Sequence, residues 1–325
     1  MNNIWEKHIP VLLEELVNSI KTNNLKENTI VDCTLWMAWH AIEIMKKLQN
    51  WDIFIGFDAD SINLELAKKR IIQELKENNI EYCFINSKED KNKNKINIIL
   101  INSNFSNIKE ELEERHIEKI TGVYYDLGLS SLHLDEAERW FSFMKNGPLD
   151  MRLDKTRWKT AAQIINWYTA AELREIFIKY WEEPWSNKIA HQIVDIRKQK
   201  KFETTHDLAN IIQWPVKVKA RIFQAIRIEV NQELSVLEKS LKDAIGILES
   251  NWIIFVISFH SLEDRITKQI LKKETKDCIC SDMICSCQHI KSLKLLNKKP
   301  ILPSSEEISK NSRSRSAKAR VAQKL

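Results

Sequence analysis

TIVDCTLWMAWHAIEIMKKLQNWDIFIGFDAD, residues Thr29 to Asp60, decides the fold. Thr29 to Cys33 is a short apolar run of strand type, His40 to Leu48 carries apolar residues at helical spacing, and Ile53 to Asp58 is a second strand-type run. Two strands joined by a helix predict a parallel pair, because a parallel neighbour is reached only through a crossover. Further along, Asp60 or Ser61 is placed to cap a helix whose Ile62, Leu66, Ile71 and Leu75 recur at helical spacing. Ile96 to Ile101 and Gly122 to Gly128 supply more strands, while the polar Ser87 to Lys95 reads as a solvated loop. From about Asp135 to Lys219 amphipathic helices take over, such as Ala170 to Tyr180 and Ser186 to Lys198. A long helix is expected from about Ala220 to Ser250, and Trp252 to Phe259 returns to strand character. The expected architecture is a Rossmann-like α/β sheet in two parts, residues 1–134 and 220–325, with an inserted helical domain at 135–219.

Composition narrows the class of protein. With 325 residues, 43% of them hydrophobic, the chain can bury a substantial core. It contains no run of about 18 apolar residues and does not open with a basic segment followed by an apolar one, so a cytoplasmic protein with no membrane association is expected. The net charge of +5 is mild, and any nucleic-acid surface has to be local. Asn311 to Leu325 holds five basic residues and no acidic one, which suits phosphate contact, although SAKARVA within it also reads as a final strand. Six cysteines do not form the framework of a small secreted protein. Four of them, Cys278, Cys280, Cys285 and Cys287, form C-x-C-x4-C-x-C, which can close a tetrahedral zinc site, although C-x2-C is the commoner spacing. Cys33 and Cys83 read as ordinary buried thiols.

Ligands of α/β sheets bind at the carboxyl ends of the strands. Asp32 closes the first strand and Asp58 the second, and a carboxylate in the latter place can accept hydrogen bonds from both hydroxyls of a ribose, or simply be a solvated strand end. Several longer blocks carry more information. HIPVLLEEL (His8 to Leu16), DLGLSS (Asp126 to Ser131), LDEAERWFSFMKNGPLDMRLD (Leu134 to Asp154), IRIEVNQEL (Ile226 to Leu234), VISFHSLEDR (Val256 to Arg265) and NSRSRSAKAR (Asn311 to Arg320) span most of the chain. Together they resemble the ribosomal small-subunit RNA cytosine-N4-methyltransferase family, also called the MraW family.

The resemblance implies a class I methyltransferase sheet, S-adenosylmethionine as methyl donor, and as acceptor a cytidine in the decoding region of small-subunit (16S) ribosomal RNA, within the 30S subunit. It places Ala38, Trp39 and His40 around the methionine portion of the donor, Asp58 on its ribose and Phe105 beside its adenine. Asp126 and His133 fall on two further donor-contacting positions, His133 standing where the family usually has glutamine. Without the resemblance, Phe105 reads as a core residue and His133 as a surface one. Cytosine N4 is a weak nucleophile whose lone pair is delocalised into the ring, so a group accepting a hydrogen bond from the amino group assists the reaction. Asp126, or a backbone carbonyl of the turn beside it, is the candidate catalytic group. Asp150, Arg152, His260 and Arg265 are candidates for reading the flipped base or its phosphate, or for an interdomain salt-bridge network.

One compositional fact is abnormal: the chain has 5 Gly and 11 Trp, where average usage would give roughly 23 glycines. Trp36, Trp39, Trp140, Trp158, Trp181 and Trp252 stand where the resembled family has glycine, and Trp51 where a glycine cap is expected. Trp5, Trp167, Trp185 and Trp214 join the set at less constrained positions. A single codon-level cause explains them together: UGA read as glycine in the cell and rendered as tryptophan in this sequence. If the tryptophans are genuine, the chain reads as a catalytically inactive RNA-binding factor of ribosome assembly. TGA at the codons for Trp36 and Trp39 is the expected finding on sequencing the gene, and TGG there eliminates the codon reading.

Overall fold

The computed structural model describes residues 9–128, 145–155, 159–181, 184–213, 215–280 and 286–325. His133, Trp140, Trp158, Trp214 and Cys285 lie outside them, as does Trp5. The chain forms two compact units, one of Met1–Gly128 with Ser235–Leu325 and one of Leu129–Leu234. The second therefore reaches fifteen residues past Lys219, the boundary expected from the sequence (234 against 219).

The first unit is an α/β sheet. Its strands are β1 (Thr29–Asp32), β2 (Ile53–Phe57), β3 (Tyr82–Phe84), β4 (Ile96–Ile101), β5 (Ile120–Asp126), β6 (Leu248–Ser258), β7 (Leu293–Leu295) and β8 (Lys318–Lys324). They lie in the order β3-β4-β2-β1-β5-β6-β8-β7. The first six in that order pair in parallel, whereas β8 runs antiparallel between β6 and β7. The helices are α1 (Leu13–Ser19), α2 (Trp39–Met45), α3 (Ser61–Glu77), α4 (Ile108–Glu113) and, in the second unit, α5 (Ala161–Trp167), α6 (Ala170–Trp181), α7 (Ser186–Arg197), α8 (Thr205–Ile211) and α9 (Val216–Asn231). Then follow α10 (Glu233–Ile247), α11 (Ser261–Lys273) and α12 (Ser305–Lys310).

Alternating side chains of the strands feed two cores. Ile30, Phe54, Ile98, Tyr124 and Phe255 pack with α1, α2 and α3 on one face. Val31, Ile53, Ile55, Val123, Tyr125 and Ile254 pack with α4, α10 and α11 on the other. Burial on both faces is why these strands read as continuous apolar runs and not as alternating ones. Asp60 caps α3, its carboxylate accepting from the N–H groups of Ile62 (2.9 Å) and Asn63 (3.4 Å).

One expectation needs correction. The long helix over 220–250 is two helices, broken where Gln232 adopts left-handed backbone (φ +52). The short strands β3 and β7 were not anticipated, being too brief to leave a periodic signal. Of the two readings of the basic tail, the strand is realised over Lys318–Lys324. Arg320 within it is buried and makes a two-pronged pair with Asp264 of α11, Nε to Oδ1 at 2.6 Å and Nη2 to Oδ2 at 3.1 Å. Arg313 and Arg315 precede the strand on an exposed turn of 3₁₀ helix.

The helical unit has its own core, including Ile164, Leu173, Phe177, Ile189, Phe202 and Ile222. No helix among the described residues is long and apolar enough to cross a membrane. Breaking a buried ion pair strands the remaining charge, so Arg320→Ala is expected to lower the stability of the sheet unit by about 3 kcal/mol in urea unfolding. Pairing it with Asp264→Ala should recover part of that loss.

Candidate active site at the carboxyl ends of the parallel strands

Parallel strands present their carboxyl ends on one edge of the sheet, and β1 lies centrally between β2 and β5. From β1 the chain passes to β2 on one side and later returns to β5 on the other, so the crevice between β1 and β5 is a topological switch point. Three carboxyl groups gather at this edge, two of them buried and the third largely so: Asp32 ends β1, Asp58 follows β2 and Asp126, its side chain 13% exposed, ends β5. Burial without a cation disfavours the charged form of each. Desolvation lifts Asp32 to about 7, against the N–H of Thr34, which favours its anion at 2.9 Å. Desolvation and then the nearby Glu263 push Asp126 to about 8. Asp58 is held well above the carboxylate range by burial, although the N–H of Asp60 donates to its Oδ1 at 2.8 Å.

Two of these carboxyls keep an unused oxygen. Oδ2 of Asp58 and Oδ1 of Asp126 are buried and have no hydrogen-bond partner among the described residues, whereas the buried hydroxyl of Tyr124 sits against Asp32. Unsatisfied buried oxygens of this kind point to an absent donor-rich or cationic ligand. S-adenosylmethionine, with its ribose hydroxyls, ammonium and sulfonium, is chemically matched to such a set.

The loop from Cys33 to Ala38 is tied down on all sides. The hydroxyl of Thr34 accepts the N–H of Asp126 at 2.6 Å, and the N–H of Leu35 donates to the carbonyl of Phe57 at 2.9 Å. Ala38, fully buried, starts α2 from left-handed backbone (φ +60). His40 donates from Nε2 to the carbonyl of Val11 at 3.0 Å, which leaves Nδ1 facing Oδ2 of Asp126 at 3.5 Å. Its pKa is lowered, first by burial, so a neutral imidazole faces a neutral carboxyl. Phe105 stands half-buried after β4, edge-on to Tyr125 with centroids 5.7 Å apart.

Two tryptophans occupy this loop. Trp36 has φ +46, a conformation bulky residues avoid. Its indole Nε1 donates to the main-chain carbonyl of Asp126 at 2.7 Å, so the ring reaches from the loop after β1 to the end of β5. Trp39 instead turns onto the buried Arg70, whose guanidinium carbon lies 3.0 Å from the ring centroid. Trp51 also has left-handed backbone (φ +75), whereas Trp252 lies in β6 and has no such conformation.

The structure thus brings together Asp58, Asp126, Ala38, Trp39, His40 and Phe105 on one edge. Asp32, Thr34 and Tyr124 belong there too; Asp32 stood out as a strand end, but nothing in the sequence marked the other two. Among the proposed base or phosphate readers, Asp150, Arg152 and His260 engage nearby residues. Arg152 pairs with Asp150 through Nε–Oδ1 (2.6 Å) and Nη2–Oδ2 (2.9 Å), in a loop clamped by Asn231, whose amide donates to the carbonyl of Met151 at 2.8 Å. His260 caps α11, its Nδ1 accepting the N–H of Glu263 at 3.4 Å, and its Nε2 lies 3.0 Å from Oε1 of that glutamate. Arg265 is exposed on the same helix.

The profile of the MraW methylase family matches residues 6–325. The chain belongs to that family. Among curated MraW relatives, ribosomal RNA small subunit methyltransferase H of Clostridioides difficile is 43% identical over 98% of this chain and 99% of its own length. The protein of the same name from Finegoldia magna is 40% identical with the same coverage. A solved rRNA methylase from Streptococcus thermophilus aligns with 96% of this MraW-family chain and 93% of its own, at 9% identity and a TM-score of 0.41, a likeness that adds no weight.

Raised carboxyl pKa values make stability fall as pH rises: the native state holds protons on Asp32 and Asp126 that the unfolded chain releases near 4. Stability of the unliganded protein is therefore expected to be full below about pH 4 with respect to these groups, and to decline until pH passes about 8. Thermal melts from pH 5 to 9 should show the decline, and Asp126→Asn should flatten its upper part.

Proposed function

We propose that this MraW-family chain transfers a methyl group from S-adenosylmethionine to the exocyclic N4 of a cytidine in the decoding region of small-subunit ribosomal RNA, with the 30S subunit as substrate, in the cytoplasm. The observation that carries the donor assignment is the trio of carboxyls that resist ionisation at the ends of β1, β2 and β5, two of which, Asp58 and Asp126, keep a buried oxygen with no partner among the described residues. The name borne by the curated relatives supports ribosomal RNA as acceptor, and the motif resemblance supports cytosine N4.

When bound, S-adenosylmethionine supplies an electrophilic methyl group on a positively charged sulfur. Asp58 is placed to accept from the ribose hydroxyls, Phe105 to flank the adenine, and the Ala38–His40 turn to hold the methionine portion. Asp32 and Asp126 would face the positive charge of a bound donor, which favours their anionic forms, and as an anion Asp126 would be a hydrogen-bond acceptor. In that form it can take a hydrogen bond from the cytosine amino group and help localise the nitrogen lone pair. The enzyme's remaining task is positioning, since displacement at a methyl carbon needs alignment more than proton transfer. Exposed Arg265, Arg313 and Arg315 are suited to phosphate contact.

Trp36 favours a second reading. Its indole bridges the switch-point edge and engages the carbonyl of Asp126, which suits a non-catalytic RNA-binding assembly factor if tryptophan is genuine there. Calorimetry separates the two. Trp36→Gly is expected to bind S-adenosylmethionine at least about 10-fold more tightly than the unaltered chain, a gain of about 1.4 kcal/mol. Adding Asp58→Ala should weaken that binding by about 30-fold or more, because charge-assisted hydrogen bonds are lost. Mass analysis of 30S ribosomal RNA after incubation should then show N4-methylcytidine. Absence of donor binding by Trp36→Gly, with ribosomal RNA still bound, would favour the assembly factor.

A further inference from the structure

Between α11 and β7 the chain makes an excursion that is closed at its base. The N–H groups of Ser292 and Leu293 both donate to the carbonyl of Glu274, at 2.8 and 3.0 Å, and the hydroxyl of Ser292 donates to the Glu274 carboxylate at 2.7 Å. Beyond that base no described residue from Thr275 to Lys291 is buried or belongs to a helix or strand, and Ile279 and Ile290 are exposed. Hydrophobic burial therefore does not hold this segment in shape.

What the segment does contain is a knot of thiols. The sulfurs of Cys278, Cys280 and Cys287 lie within 4.8 Å of one another. Backbone N–H groups point at them: Ile279 to the sulfur of Cys287 (3.5 Å), Cys280 to that of Cys278 (3.4 Å) and Ser286 to that of Cys280 (3.3 Å). Donors aimed at sulfur stabilise thiolate, the form that binds metal. Directly after Cys287 the backbone turns through the left-handed region at Gln288 (φ +51).

The spacing separates two uses of such a cluster. A disulfide needs its sulfurs about 2.05 Å apart, whereas sulfurs held about 2.3 Å from one tetrahedral ion stand about 3.8 Å from each other. Cys278 and Cys287 are 3.9 Å apart. We propose that Cys278, Cys280 and Cys287 bind a thiophilic divalent cation, zinc by preference, which serves as the missing core of this excursion. Three thiolates leave a fourth tetrahedral position for a further ligand; Cys285, outside the described residues, is the remaining thiol of the sequence motif. The ion is structural, because the thiols belong to the excursion after α11 and not to the strand ends that carry Asp32, Asp58 and Asp126.

The test uses the full chain under reducing conditions with cobalt(II) as probe. About one cobalt per chain is expected to bind, with the intense near-ultraviolet sulfur-to-cobalt charge-transfer absorption, and zinc should displace it. Cys280→Ser and Cys287→Ser should each weaken cobalt binding by at least about 100-fold, the upper end of what losing even an outer partner of a ligand costs. Cys33→Ser with Cys83→Ser should leave the spectrum intact. Because the excursion contributes nothing to either core, the far-ultraviolet circular dichroism of the cysteine variants should stay native. Proteolytic cleavage between Thr275 and Lys291 should slow with zinc and quicken with chelator. The proposal is overturned if no charge-transfer band appears, if the band survives replacement of all three cysteines by serine, or if protein purified without air carries a Cys278–Cys287 disulfide instead of metal.

Discussion

Taking carboxyl groups out of water without giving them a counter-charge is the constraint on which the rest of this structure turns. Asp32, Asp58 and Asp126 sit at the ends of neighbouring strands because parallel pairing puts those ends on one edge. Asp32 and Asp58 are buried and Asp126 largely so, and each resists ionisation for that reason. The surrounding hydrogen bonds spare individual oxygens. Thr34 serves the backbone of Asp126, leaving its carboxyl unaided, and Asp60 satisfies half of Asp58. An edge prepared in this way has low affinity for anions and rewards a ligand that brings positive charge and hydroxyl donors.

Glycine is scarce in this chain at a cost to the backbone. Left-handed backbone at Trp36 and Trp51 is what a glycine would adopt freely, and the indole of Trp36 lies against the carbonyl of a proposed catalytic residue. Trp39 and Trp252 give a different lesson. Neither has that conformation, so their backbone alone supplies no argument for glycine; Trp39 is accommodated by stacking on Arg70, a charge whose own pKa burial lowers to about 10. The retained Gly128, at φ +107 just beyond β5, marks a position where the backbone still has the residue it requires.

Much of the sheet was legible because strands buried on both faces leave long apolar runs, and β2 and β4 fall within a residue of where those runs lie. What escaped were elements defined by partners and not by pattern. β3 and β7 exist because longer strands offer an edge, and the break at Gln232 is a single backbone turn inside an amphipathic stretch that otherwise continues. At the site, Asp58 is legible as an acid closing a strand, and Asp126 through the resembled motif. Thr34 and Tyr124 are not, since a threonine in a loop and a tyrosine in a strand acquire meaning only when the fold places them beside carboxyls. Arg320 illustrates the opposite error: one cation in a basic tail looks like its neighbours until a specific aspartate claims it.

Strands β5 and β6 are hydrogen-bonded neighbours, yet the whole helical unit is threaded between them in the chain. Bringing their ends together through an unstructured segment of that length carries a large entropic toll and slows assembly. A helical unit that folds early on its own core would replace that floppy tether with a compact body and shorten the search. The topology therefore favours a route in which the insertion condenses before β6 docks on β5.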